Sequence, residues 1–189
     1  MKLFQLSGTS RKDLGKKATN AVRNAGNIPC VLYGGKENAN FQVVAGDVRK
    51  LIYSPEIFLV ELAIDRKKTN AILKELQVHP VTEKILHIDF LEVSNAKPVQ
   101  INVPVRLEGL AEGVKAGGKL QQNMRSIKVK ALAADIPEQL KINVEKLELG
   151  KTIQVGDLSF PKLELLSPKS AIVATVQATR ASATAVKTA

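Results

Sequence analysis

Leu86-His87-Ile88-Asp89-Phe90 alternates apolar and polar side chains at every second residue. On a strand that period sends Leu86, Ile88 and Phe90 to one face and His87 with Asp89 to the other, so the first set belongs to a core and the second to a surface. The same period returns further on, where Val99, Ile101, Val103, Val105 and Leu107 alternate with Gln100, Asn102, Pro104 and Arg106. Two such runs on either side of the junction-like stretch 94–98 make the chain β-rich and two-part. Pro104 cannot donate to a ladder, which places its strand at a sheet edge or bulge.

Upstream, Cys30-Val31-Leu32-Tyr33 is a short apolar strand closed by Gly34-Gly35, and Ile57–Ile64 and Ala71–Val78 form a hairpin across the polar turn Asp65–Asn70. Downstream, strands are expected at Ile127–Lys130, at Leu140–Val144, around Ile153 and Val155 between Gly150 and Gly156, and at Ala171–Gln177. Helical spacing occurs twice. Ala18, Ala21, Val22 and Ala25 fall on one face of a helix from Lys16 to a stop at Gly26, leaving Lys16, Lys17, Asn20 and Arg23 on the opposite, solvent face. A shorter helix carries Val48, Leu51 and Ile52, with Asp47 as its expected N-cap and Ser54-Pro55 as its end. The expected organisation is a first domain over 1–93, a second β-rich domain over 94–177, and a tail over 178–189. That tail is Ala, Thr and Ser with two basic residues, and its composition predicts disorder.

The 189 residues are 44% hydrophobic and 24% charged, enough for one large or two small packed domains. Lys and Arg number 28 against 18 Asp and Glu, a formal charge of +10 that favours a polyanionic partner. The excess is sharpest at the start, where Met1–Lys36 holds Lys2, Arg11, Lys12, Lys16, Lys17, Arg23 and Lys36 against the single acid Asp13. A lone cysteine, Cys30, excludes an internal disulfide framework, and no apolar run approaches the length of a membrane span. The expected setting is therefore cytoplasmic, without a membrane role.

Three groupings invite a chemical reading. Gly113-Val114-Lys115-Ala116-Gly117-Gly118-Lys119 fits seven places of a phosphate-binding loop, but Leu120 stands where a Ser or Thr must hold magnesium, so a glycine-rich turn is expected. His79, His87 and Asp89 resemble a metal or acid–base set, yet no Cys or Glu pair completes a tetrahedron and no nucleophile sits beside a base. An imidazole and a carboxylate on an outward sheet face suit sugar hydroxyls and base edges in a shallow RNA minor groove. Cys30 lies among apolar neighbours with no cation beside it, as a buried structural thiol does. Tyr33, beside Gly34-Gly35-Lys36, suits either stacking on a base or a place in the core. No enzyme, cofactor, metal or small-molecule substrate is indicated. The alternative to RNA binding is a β-rich protein-interaction adaptor whose charge serves solubility.

Taken in order, Arg11-Lys12-x-x-Gly15-Lys16, the basic helix with Arg23, Ile28-Pro29-x-Val31-x-Tyr33-Gly34, His79-Pro80-Val81 and His87-Ile88-Asp89-Phe90 resemble the family of bacterial large-subunit ribosomal protein twenty-five. Val103-Pro104-Val105-x-Leu107-x-Gly109, Gly113-Val114-Lys115-x-Gly117-Gly118, Ile136-Pro137 and Leu147-x-Leu149-Gly150 resemble the extra C-terminal domain of its long, general stress (CTC) type. The resemblance implies a six-stranded β-barrel with short helices, docked on the loop E region of 5S rRNA among neighbouring large-subunit ribosomal proteins, followed by the second β-rich domain. Carried over by position, its RNA contacts fall on Arg11, Lys16, Thr19, Asn20, Arg23, Tyr33, Gly34, Lys36, Gln77, His79, His87 and Asp89, with Lys17 beside them on the helix. Asn20 and Ala21 stand where some members carry consecutive arginines, which shifts phosphate contact towards Lys16, Lys17 and Arg23.

Overall fold

The computed structural model describes residues 1–35, 37–65, 67–94 and 97–179. Its backbone divides into two compact units, Met1–Val99 with Leu132–Ala134, and Gln100–Ala131 with the chain from Asp135 onward. The expected tail lies almost wholly outside the described residues.

The first unit is a closed barrel of six strands: β1 (Lys2–Ser10), β2 (Asn27–Tyr33), β3 (Ala39–Val44), β4 (Phe58–Ile64), β5 (Lys67–Val78) and β6 (Ile85–Glu92). Around the barrel they run β1-β3-β2-β6-β5-β4, and β4 closes on β1. Two of the six seams are parallel, β1 on β4 with Lys2 opposite Phe58, and β2 on β6 with Cys30 opposite Ile88. The period-two pattern decides what enters the barrel. Leu6, Cys30, Leu32, Phe41, Val43, Val60, Leu62, Ile88 and Phe90 are all buried in one cluster, and the Phe41 and Phe90 rings sit 5.8 Å apart. Burial pushes the Cys30 thiol up to about 12, which keeps it a neutral core group. Gly8 allows a close approach to the core, since a Cβ there would lie 2.6 Å from the Phe41 ring.

Two helices attach to the barrel. Helix α1 (Lys16–Asn24) lies against β2. Helix α2 (Arg49–Tyr53) contributes Leu51, with the preceding Val48, to the barrel core. Its N-cap is Val48 rather than Asp47, and no side chain caps it. The reason is local: Asp47 belongs to the turn before the helix, where its N–H donates to the Val44 carbonyl.

The second unit contains a four-stranded sheet of β7 (Val99–Glu108), β9 (Ser126–Ala131), β10 (Leu140–Asn143) and β12 (Glu164–Leu165), in the order β10-β7-β9-β12. Beside it in the chain, β8 (Lys119–Gln122), β11 (Thr152–Gln154) and β13 (Ile172–Gln177) form a three-stranded sheet, β11-β13-β8. Val99, Ile101, Val103 and Val105 are buried and Gln100, Asn102 and Arg106 exposed, as the alternation requires. Of the edge or bulge expected from Pro104, the edge strand does not hold, because β7 is an inner strand. Pairing with β10 begins only at Val105, one residue after the proline, so that ladder does not need its missing N–H. The phosphate-loop lookalike folds into a single helical turn, α3 (Glu112–Lys115), and the strand β8. The N–H groups of Gly117 and Gly118 are already donated to the Val114 and Gly113 carbonyls at 3.0 and 2.8 Å, which leaves no cradle for a phosphate.

Candidate nucleic-acid interface

Outer-face residues of β2, β5 and β6 converge on Asp89. On β6, His87 and Asp89 are two residues apart and share a face, and the His87 Nδ1–H donates to Asp89 Oδ1 at 2.7 Å. That bond fixes the ring and leaves Nε2 as an acceptor in the neutral imidazole. The side chains are 24% and 27% exposed, half sunk in the sheet with one edge in solvent. Strand register adds neighbours on both sides: Gln77 opposite His87 and Glu75 opposite Asp89 on β5, and Val31 opposite Asp89 on β2. Tyr33 ends β2 two residues beyond Val31. Burial raises its phenol above the ordinary tyrosine range, and Asp89 and Glu75 add to the shift, so the hydroxyl stays a donor beside two carboxylates.

Glu75 is the member of this face that the sequence reading missed. A shift in the β5–β6 register between Leu73 and Glu75 brings it opposite Asp89, and no spacing in the sequence announces that shift. Two carboxylates in register repel each other, so the face is chemically short of donors. Gly34, directly after Tyr33, turns the chain at a φ of 96°, and a Cβ there would lie 2.7 Å from Leu91 Cδ1. Lys36 lies outside the described residues.

Helix α1 supplies the opposite charge. It starts after Gly15 with no side-chain cap and ends at Gly26, whose φ of 79° stops it. Lys16, Lys17 and Asn20 are exposed on its outer surface. Arg23 departs from expectation. The helix is rolled so that Ala18, Thr19, Val22 and Arg23 are half-buried while Ala21 and Ala25 face out, because Arg23 reaches across to β6. Its Nε and Nη2 donate to the Leu86 carbonyl at 3.1 and 2.9 Å, one residue before His87, which leaves Nη1 and the second Nη2 hydrogen for a ligand. Arg11 braces the other end of the helix, where its Nη2 donates to Thr19 Oγ1 at 3.4 Å.

His79 is separate from this cluster. It sits after β5, and its Nδ1 accepts the Val81 and Thr82 N–H groups at 3.3 and 3.2 Å, which holds the β5–β6 turn together. The two histidines therefore do not converge, and no group of three or more His, Cys, Asp or Glu is gathered for a metal among the described residues.

Residues 6–90 match the Ribosomal L25p family, and residues 98–180 match the C-terminal domain of ribosomal protein TL5. Over 181 residues the chain is 58% identical to the large ribosomal subunit protein bL25 of Azobacteroides pseudotrichonymphae, covering 95% of this chain and 96% of that one. The chain belongs to the ribosomal L25p family. Its likeness to the proteins of the same name from Porphyromonas gingivalis (59% over 183 residues, 96% of this chain and 95% of that one) and Phocaeicola vulgatus (50% over 196 residues, 100% and 99%) is equally end to end. The L25p match falls on the barrel with its acidic sheet face and basic helix. The TL5 match falls on the two smaller sheets. Proteins of this family are structural constituents and not enzymes.

Proposed function

We propose that this L25p chain, a structural constituent of the large ribosomal subunit working in the bacterial cytoplasm, holds 5S rRNA at its loop E region with the barrel. The observation that carries the reading is the pairing of two unlike surfaces around β6. The outer sheet face offers the carboxylates of Asp89 and Glu75, the Tyr33 hydroxyl and the Asp89-fixed His87. Carboxylates seek donors, and the shallow minor groove of an RNA helix offers them as 2′-hydroxyls and guanine amino groups. Lys16, Lys17 and the free Nη1 of Arg23 on α1 are the complement for flanking phosphates. Gln77 extends the polar row along β5 beside His87, while Arg11 and Thr19 keep the helix in place.

An electrophoretic shift with 5S rRNA tests this. The full chain and the segment 1–93 should both bind, and the segment 94–189 should not. Binding carried by 94–189 alone would overturn the assignment of RNA contact to the barrel. Neighbouring large-subunit proteins are the expected partners of the remaining surface.

A further inference from the structure

Helix α2 carries a second polar surface that the sheet face does not account for. Its inner side is fixed in the core by Leu51, which turns Arg49, Lys50 and Tyr53 outward. Tyr53 is 65% exposed, a large aromatic surface given up to water rather than to the barrel. Arg49 and Tyr53 stand between two grooves and line both. One, of about 760 Å³, runs on past Lys50 and Ser54 to Phe58. The other, of about 600 Å³, lies between α2 and the end of α1 and is walled by Arg23, Lys84 and Leu86. Both volumes fall in the range of roughly 300–1,000 Å³ typical of small-ligand clefts.

Arg49, Lys50 and Lys84 form no ion pair among the described residues; the acids Asp47 and Glu83 lie near them, Glu83 in the wall of the second groove, so with Arg23 the cations still outnumber the acids. An exposed tyrosine ring among an excess of cations is the pairing that single-stranded nucleic acid requires: a flat surface for an unpaired base and positive charge for the phosphates on either side. A duplex keeps its base faces stacked inside and has nothing to offer the ring. The second groove includes Arg23 and Leu86, the residue before His87 in β6, so the two surfaces share one strand.

We propose that Tyr53, with Arg49, Lys50 and Lys84, forms a site for a short unpaired RNA stretch, with one base stacked on the Tyr53 ring and the adjacent phosphates on the three cations. This shares with the preceding reading only that the partner is RNA, and the two fail separately. The test uses the full chain, a fluorescent eight-uridine strand and, in parallel, 5S rRNA. Tyr53→Ala should weaken binding of the uridine strand about tenfold, the loss of one stacked base, while Tyr53→Phe keeps it. Arg49→Gln should weaken it and lower the salt slope by about 0.7. Tyr53 is exposed, so thermal melting of these variants should match the parent. If Tyr53→Ala binds the uridine strand as well as the parent does, the site is wrong, even where Asp89→Ala still loses 5S rRNA. If Tyr53→Ala leaves RNA binding intact but impairs joining of the protein to large subunits, the surface belongs to a protein neighbour and the proposal falls. Loss of uridine binding in Tyr53→Ala with full 5S affinity in Asp89→Ala would uphold this site and overturn the sheet face.

Discussion

Replacing Asp89 by alanine separates recognition from folding, because the structure assigns its carboxylate opposing roles in the free protein. Removal breaks the 2.7 Å bond from His87, a loss of about 1 kcal/mol for a half-exposed pair. It also relieves the carboxylate of Glu75 directly opposite, a gain of roughly 0.2–1 kcal/mol. The two nearly cancel, so thermal melting should move by no more than about 5 °C. In the complex nothing cancels. A charged acceptor that meets RNA hydroxyl or amino donors contributes about 1.5–3 kcal/mol, so affinity for 5S rRNA should fall roughly 10- to 150-fold. The salt slope should stay as it was, since Asp89 neutralises no phosphate. Filter binding at several salt concentrations, with a melt of the same preparation, reads all three quantities. Full 5S affinity in a variant that melts like the parent would refute the reasoning and move the His87–Asp89 pair to solvent or a protein neighbour.

Arg23→Ala should differ from it on every count: it weakens binding to all RNAs alike and lowers the salt slope by about one unit. It should also lower the melting temperature, because the Leu86 carbonyl loses both Arg23 donors. Cys30 gives a pH signature. Its folded thiol titrates near 12 against an ordinary value of 9.0, so its stabilisation is complete below pH 9 and is lost at about 1.4 kcal/mol per unit as pH rises towards 12. Denaturant titrations at pH 8 and 10.5 should show that extra decline in the parent and not in Cys30→Ser. Gly34→Ala should cost about 1–2 kcal/mol in a melt, since it forces a side chain into positive φ and against Leu91.

The barrel's inward set was legible in the sequence because one face of each strand is buried, and burial writes a period of two directly into residue type. Ile88 and Phe90 against His87 and Asp89 is the clearest instance. Helix α1 was legible as a helix, but its roll was not. Alanine is small enough to face either way, so Ala21 and Ala25 gave no direction, and the orientation is set by Arg23 reaching a backbone carbonyl 63 positions away. Pro104 misled for a related reason: it reports a missing donor, and the strand's partner simply starts one residue later. Glu75 and the α2 cations were invisible as members of the proposed surfaces because register and groove walls are made between strands and not along them.

The parallel seams of the barrel set an order of events. Lys2 must wait for Phe58, and Cys30 for Ile88, before either finds its neighbour. Such distant pairing is slow to search, since loop-closure entropy is spent before any contact is gained. On a ribosome making this protein, the nascent chain therefore cannot close its barrel until β6 has left the exit tunnel. The Asp89 face is built by that last strand, so a half-made or truncated chain presents the cationic helix without the face proposed to discriminate among RNAs. On that proposal such a fragment would hold RNA by charge alone, with specificity arriving only once the domain is finished.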